Sequence, residues 1–201
     1  MQLASSLLSG GGNKETPVCD DSFGGGKTSL IFKFRAVLDV MLEEGRWTAP
    51  TNYPFLRDAV YIHVPFGTYG KRGSSPEDCI HTVLNALRYA LITSCRSKAA
   101  ALSTTSIDTF CEELACCNRE RTRFLLHFDD VGCFESFGNE VGISMIYTMW
   151  IIGDKLREQG HYFTMTGRSA LSVLDCEAIK SSERTKVMHL LGLVIQANLT
   201  F

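Results

Sequence analysis

The sequence predicts an α/β fold in which a mainly parallel sheet carries helices on both faces. Three observations predict it. Short β-branched or aromatic runs alternate with helical stretches of about ten residues or more, the pattern of strand–crossover–strand units. Ser22-Phe-Gly-Gly-Gly-Lys-Thr-Ser-Leu30 leads straight into an amphipathic stretch. The apolar run from Arg123 to Phe128 ends in a pair of acids, Asp129-Asp130.

Along the chain, residues 1–15 contain Gly10-Gly11-Gly12 and read as a flexible leader. Thr16 to Cys19 is a short extended piece feeding the glycine loop. From Lys27 to Glu44, Leu30, Ile31, Phe34, Val37, Leu38, Met41 and Leu42 form a helical stripe, and Gly45 closes it. Ala59 to Val64 is a buried strand ended by Pro65 and Gly67. Residues 68–75 are a polar, glycine-rich loop. Pro76-Glu77-Asp78 then opens a helix to about Cys95, with proline and acids where a first turn favours them. A further helix spans Ile107 to Cys117.

After the strand at 123–128, residues 139–158 carry a long apolar helix around Ile143, Ile146, Tyr147, Trp150 and Ile151, punctuated by Gly160. His161 to Thr166 is a third clear strand, followed by Gly167-Arg168-Ser169. Val187 to Ile195 fits a strand or a helix, since a short apolar run does not separate the two. In parallel sheets ligands sit beyond the carboxyl ends of the strands. The Gly-Lys-Thr loop, Asp129-Asp130 and Arg168 all follow predicted strands, so they converge on one edge.

Size and charge restrict the function. The 201 residues suffice for one domain with a proper core. A net charge of −2 gives no basic excess for a nucleic-acid or membrane binder. No apolar run reaches the ~18 residues that span a bilayer, and Met1 to Leu8 lacks the basic start of a signal peptide. The 8 cysteines include no C-x-x-C pair, which argues against a structural metal site. Several lie in apolar stretches and read as reduced and buried, which favours a cytoplasmic or nuclear setting.

The chemistry concentrates in three places. Gly24, Gly25 and Gly26 let backbone N–H groups turn inward around an anion. A helix starting at Lys27 aims its free N–H groups at the same point. Lys27 can reach the β/γ-phosphates of a nucleotide, the Thr28 hydroxyl can ligate Mg²⁺, and Ser29 completes the segment. Asp21 stands where the full G-x-x-x-x-G-K-[ST] pattern wants its first glycine. Aspartate tolerates the left-handed region, so the turn stays open to it, at a cost in affinity. Taken without the rest, the loop is also a glycine-rich turn before an ordinary helix.

Asp129, delivered by an apolar strand, matches a Walker B acid that orients Mg²⁺ through Thr28. Asp130 is placed to polarise an attacking water, but it is one methylene shorter than the usual Glu, which points to slow turnover or none. Arg168, and Thr166 beside it, can sense a γ-phosphate; a solvated loop arginine is the plainer alternative. His63, His127 and His161 read as packed core histidines. No Asn-Lys-x-Asp guanine-reading motif occurs, which tilts the base preference to adenine.

With these motifs together, the chain resembles a P-loop NTPase of the AAA/STAND-like kind. It is most similar there to the NTPase module of Crinkler-type effector and retrotransposon hot spot proteins. The residues carrying the resemblance are 22–28, Leu-Leu-His-Phe-Asp-Asp-Val-Gly at 125–132, and Thr-Gly-Arg-Ser at 166–169. The resemblance implies a three-layer P-loop NTPase fold over 16–201, in a member truncated at its C-terminus, with ATP and Mg²⁺ as cofactors.

Its site would use Lys27, Asp130 and Arg168 in catalysis, residues 24–29 around the phosphates, and Thr28 and Asp129 at the metal. In that family the module is often joined to a nuclease-like domain acting in a host nucleus. Nucleic acid is therefore a partner by resemblance although the charge gives it no support, and an effector would be secreted into a host cell. The expected function is slow ATP hydrolysis driving a conformational switch, with a protein partner or self-association. The alternatives are a degenerate nucleotide-binding interaction module without turnover and a small-acceptor phosphotransferase.

Overall fold

The computed structural model describes residues 2–8, 17–20, 26–66, 76–94, 102–118, 120–131, 139–167 and 188–189. In chain order these form α1 (Gln2–Leu8), β1 (Pro17–Asp20), α2 (Lys27–Glu43), α3 (Tyr53–Arg57), β2 (Val60–Pro65) and α4 (Pro76–Ser94). They continue with α5 (Ile107–Cys117), β3 (Phe124–Asp129), α6 (Asn139–Glu158), β4 (Tyr162–Gly167) and β5 (Met188–His189).

The strands make one sheet in the order β2-β3-β4-β1-β5, with every neighbouring pair parallel. Crossovers between parallel strands are right-handed almost without exception. The β1-to-β2 connection, which carries α2, runs outward across the sheet, whereas β2-to-β3 and β3-to-β4 run back. The outward connection must then lie on the opposite face from the returning ones.

The two cores separate accordingly. Ile31, Phe34 and Leu38 of α2 pack with Leu3, Tyr53, Leu56 and Leu125. On the other face, residues of α4, α5 and α6 pack with Ile62, Val64, Leu126, Phe128, Phe163 and Met165. The expected three layers, with helices on both faces of a parallel sheet, are those observed.

Local chemistry sets the boundaries. Gly45 and Gly160 adopt left-handed φ values of 67° and 87° just past α2 and α6. Behind each, paired hydrogen bonds close the last turn: Gly45 N to Leu42 O with Arg46 N to Met41 O, and Gly160 N to Arg157 O with His161 N to Leu156 O. That is the Schellman arrangement, which satisfies the terminal carbonyls and needs glycine at the left-handed residue. At the start of α5, the Ser106 hydroxyl accepts the Thr109 N–H at 3.1 Å, and Asp108 lies in the first turn. Lys155 of α6 pairs with Asp108 and ties the two helices.

Several expectations need amending. Gln2–Leu8, read as part of a flexible leader, is helical, and Leu3, Ala4 and Leu8 are buried against α2 and α3. The apolar spacing at 3, 4, 7 and 8 explains why: it puts one face of two turns against the core. Along α2 the buried stripe is narrower than expected, since Val37 and Leu42 are exposed and only one side meets the sheet. Cys79 and Cys111 are buried free thiols, pushed to higher pKa by burial, whereas Cys116 is exposed. Part of 187–195 is strand β5; the rest lies outside the described residues, as does the loop at 68–75.

Gly153, inside α6, is required by space. A Cβ there would sit 2.5 to 2.9 Å from three ring atoms of Phe163, which is itself buried in β4. Alanine would gain ~1 kcal/mol of helix propensity, but the ring has no room to retreat, and overpacking costs about 1–3 kcal/mol or more. Gly153→Ala is expected to lower the urea midpoint by an amount equal to a net loss of ~1 kcal/mol.

Candidate functional site

The sheet's α2-facing surface changes character along the strands. Side chains alternate faces with a period of two, so Leu125, His127 and Asp129 share this face of β3, and Phe124, Leu126 and Phe128 share the other. On the neighbouring strands the same face carries Tyr61 and His63 of β2 and Tyr162, Thr164 and Thr166 of β4, in register with β3. Near the amino ends it is apolar, with Ala59, Leu125 and Tyr162 in the α2 core. Toward the carboxyl ends it becomes polar: His127, Thr164 and Thr166 are completely buried there.

Three adjacent strands bring the site together. β3 ends at Asp129, β4 at Thr166-Gly167, and β1, paired to β4 through Asp20 and Gly167, leads to the start of α2. The connection after β1 carries α2 on one face, and the connection after β3 carries α6 on the other. The crevice between these strand ends is therefore the topological switch point where open α/β sheets bind ligands.

Gly26 precedes α2 with φ 76°, a left-handed conformation that glycine adopts without cost, and a Cβ there would meet open space. It offers no capping side chain, and its carbonyl accepts the Leu30 N–H at 2.8 Å to begin the helix. The first-turn N–H groups thus point at the crevice with the positive end of the helix dipole.

Asp129 is the hub. Its Oδ2 accepts the Thr28 hydroxyl at 2.7 Å and the His63 Nε2–H at 3.0 Å. Its Oδ1 accepts the Thr166 hydroxyl at 2.5 Å and the Asp130 backbone N–H at 3.0 Å. Burial would raise the Asp129 carboxyl, but hydrogen bonds from His63, Thr166 and Thr28 and the nearby His127 outweigh it and hold the group well below the usual carboxylate range. The carboxylate is charged, mostly buried and used on all sides.

Behind it, His127 Nε2 lies 2.7 Å from Thr166 Oγ1, and its Nδ1 lies 2.6 Å from the Tyr61 hydroxyl. Burial, reinforced by His63 and partly opposed by Asp129, pushes His127 down to about 4. Burial and the Asp129 charge raise the Tyr61 phenol, so its O–H is retained. Phe32 of α2 meets the Tyr61 ring edge-on at 5.5 Å.

Of the residues singled out in the sequence, the structure brings Gly26, Thr28, Asp129 and Asp130 to one edge, with the backbone of Lys27 and Ser29 in the first turn of α2. Asp130 is exposed, in the left-handed region at φ 61°. Asp21, Gly24, Gly25 and Arg168 lie outside the described residues. His161 is a core histidine as read: buried, stacked on Phe124, its Nδ1 accepting the Phe124 N–H at 3.2 Å. His63 and His127 are not merely packed, since both lead to Asp129. The available signal was the alternation of 61 with 63 and 127 with 129, which sets polar residues on one face.

The Thr28 hydroxyl, backed by the ionised Asp129, suits a hard divalent cation such as Mg²⁺. The four acceptor positions of the carboxylate are taken, so it would hold the ion through one of the waters that Mg²⁺ keeps. While donating its proton to Asp129, the Thr28 oxygen keeps two lone pairs for such an ion. No group of three or more His, Cys, Asp or Glu able to hold a metal occurs among the described residues.

Fold and site define a parallel α/β domain whose strand-carboxyl edge joins a Gly-Lys-Thr helix start to a strand-end aspartate. The chain matches no protein-family model and no curated protein. Among solved structures it is similar to Cdc6p from Pyrobaculum aerophilum, at 16% identity and a TM-score of 0.49. The likeness covers 90% of this chain and 40% of that one. No described helix is long and apolar enough to cross a membrane.

Proposed function

We propose that this chain is a P-loop NTPase module that binds ATP with Mg²⁺ and hydrolyses it slowly. The observation that carries the reading is the 2.7 Å hydrogen bond from Thr28 to Asp129. It joins the hydroxyl that follows Gly26-Lys27 to the carboxylate at the end of the apolar strand, with Thr166 bracing the opposite oxygen.

In this reading residues 24–26, Lys27 and the first-turn N–H groups of α2, with Ser29, hold the phosphates. Thr28 and Asp129 hold Mg²⁺, which neutralises charge building on the transferred phosphoryl group. Asp130 orients the attacking water through its exposed carboxylate. Arg168 senses the γ-phosphate. The Crinkler-type setting, with a nucleic-acid-directed partner domain and host-cell delivery, is carried by the motifs at 22–28, 125–132 and 166–169.

A second reading, a nucleotide-bound interaction module without turnover, has its own observation. Phe32, Val37 and Val40 of α2 are 63%, 46% and 47% exposed, an apolar strip suited to a protein partner or a second copy.

ATP binding and phosphate release by the intact chain, Lys27→Ala and Asp130→Asn test the proposal. Lys27→Ala is expected to weaken ATP binding at least about tenfold, a loss of ~1.4 kcal/mol or more. Asp130→Asn is expected to bind as the intact chain does and to release phosphate at least about tenfold more slowly. Binding with no turnover in any of the three establishes the interaction module. ADP formation that depends on an added acceptor, with the phosphoryl group on that acceptor and none released, would instead indicate a phosphotransferase.

A further inference from the structure

We propose that Tyr61 and His127 are positioning residues for the metal site, holding Asp129 in place through the Thr166 hydroxyl. The inference deepens the ATP–Mg²⁺ reading and rests on it. Its basis is a chain of three side-chain contacts behind the carboxylate: Tyr61 OH to His127 Nδ1 at 2.6 Å, His127 Nε2 to Thr166 Oγ1 at 2.7 Å, and Thr166 Oγ1 to Asp129 Oδ1 at 2.5 Å.

The direction of every hydrogen in that chain is forced. An ionised carboxylate only accepts, so Thr166 must donate its single proton to Asp129. Its oxygen then faces His127 as an acceptor, so His127 must carry its proton on Nε2. A completely buried imidazole between two hydroxyls stays neutral, which leaves Nδ1 as an acceptor. Tyr61 therefore donates to Nδ1. No member can rotate without breaking a buried bond, and breaking one leaves a polar atom unsatisfied.

Two consequences follow. The Thr166 proton is committed to Asp129, so Thr166 braces the metal-side carboxylate and does not donate to a phosphate. The Asp129 oxygen shared by Thr28 and His63 is then free of competing rotation, because the other oxygen is fixed by Thr166 and the Asp130 N–H. Partners that orient metal-binding side chains in this way affect metal affinity without touching the ion.

The test is Tyr61→Phe, which removes one oxygen and keeps the ring against Phe32. ATP affinity is measured with Mg²⁺ and with chelator in the intact chain and the variant, and the His127 tautomer is read by ¹⁵N NMR. The intact chain is expected to show His127 protonated on Nε2 and neutral. Tyr61→Phe is expected to leave chelator-condition affinity unchanged, to lower the Mg²⁺-dependent gain about 3–10-fold, and to relax the tautomer preference.

A purely structural role for Tyr61 would shift both affinities together, and that result overturns the proposal. So does an unchanged Mg²⁺-dependent gain, or a His127 protonated on Nδ1. An intact chain that binds no ATP overturns the functional reading and the positioning role together. ATP binding with an unaffected variant overturns the positioning role alone.

Discussion

Asp129→Asn is expected to weaken Mg²⁺-dependent ATP binding by about 100-fold while the fold remains. Asp129 accepts four hydrogen bonds, from Thr28, His63, Thr166 and the Asp130 backbone. An amide has the same shape but accepts at one end only. With its oxygen toward Thr166 and Asp130, its NH₂ group faces the donors of Thr28 and His63. The metal side then loses both its negative charge and its acceptor. Thr28 is exposed and His63 partly so, and both can turn to water, so the fold is kept and the loss falls on the metal. Losing a group that orients a metal site costs ~10–100-fold in affinity, and the lost charge puts Asp129→Asn at the upper end.

Asp129→Ala adds a stability cost. It strips the acceptor from the buried Thr166 hydroxyl and so disturbs His127 behind it, with an expected loss of ~2–4 kcal/mol. Titrating ATP with and without Mg²⁺, together with urea unfolding, separates the two variants: the asparagine fails in binding, the alanine in binding and in stability.

Acid is expected to destabilise the domain between pH 6.5 and pH 4, well above the usual carboxylate range. Burial pushes His127 and His161 from 6.5 to about 4 in the folded chain, helped by Arg123 beside His161. In that window the unfolded chain binds more protons than the folded one, so stability rises with pH. The contribution is complete above about pH 6.5 and is lost as pH falls to about 4. Each histidine accounts for ~3 kcal/mol, and the pair together for ~6 kcal/mol, comparable to the whole stability of many domains.

Asp129, whose carboxyl is held below its ordinary range, shows the same sense of dependence only at lower pH, so it does not contribute to this window. Urea midpoints at pH 7, 6 and 5 check the expectation. His161→Asn should remove about half of the pH dependence, and equal midpoints at pH 7 and pH 5 would contradict it.

What the sequence revealed followed from length and periodicity. α2, α4, α5 and α6 are long enough to show a stripe or to carry start signals, and β2, β3 and β4 are β-branched or apolar runs bounded by turns. α1 escaped because Gly10 to Gly12 and the serines around Leu7 dominate the reading of its surroundings. α3 is five residues long, too short for a period. Its Pro54 reads as a breaker, yet proline in a first turn forfeits no helical hydrogen bond.

The site was legible where one segment carries the chemistry, as in Gly26-Lys27-Thr28 and Asp129-Asp130. It was illegible where chemistry comes from register. Nothing local tells that His63 lies beside His127, or that Thr28 and Thr166 meet the two oxygens of Asp129. Those neighbours exist because β2, β3, β4 and β1 pair in a particular order, which joins residues about a hundred positions apart. A histidine on a buried strand reads as core until that order is known.

The most direct test of the central claim is ATP binding by the intact chain, measured with Mg²⁺ and again with the metal chelated. The Thr28–Asp129 pairing predicts binding that tightens by at least about tenfold when Mg²⁺ is present. Folded protein that binds no ATP, or binds it equally well without the metal, would contradict it.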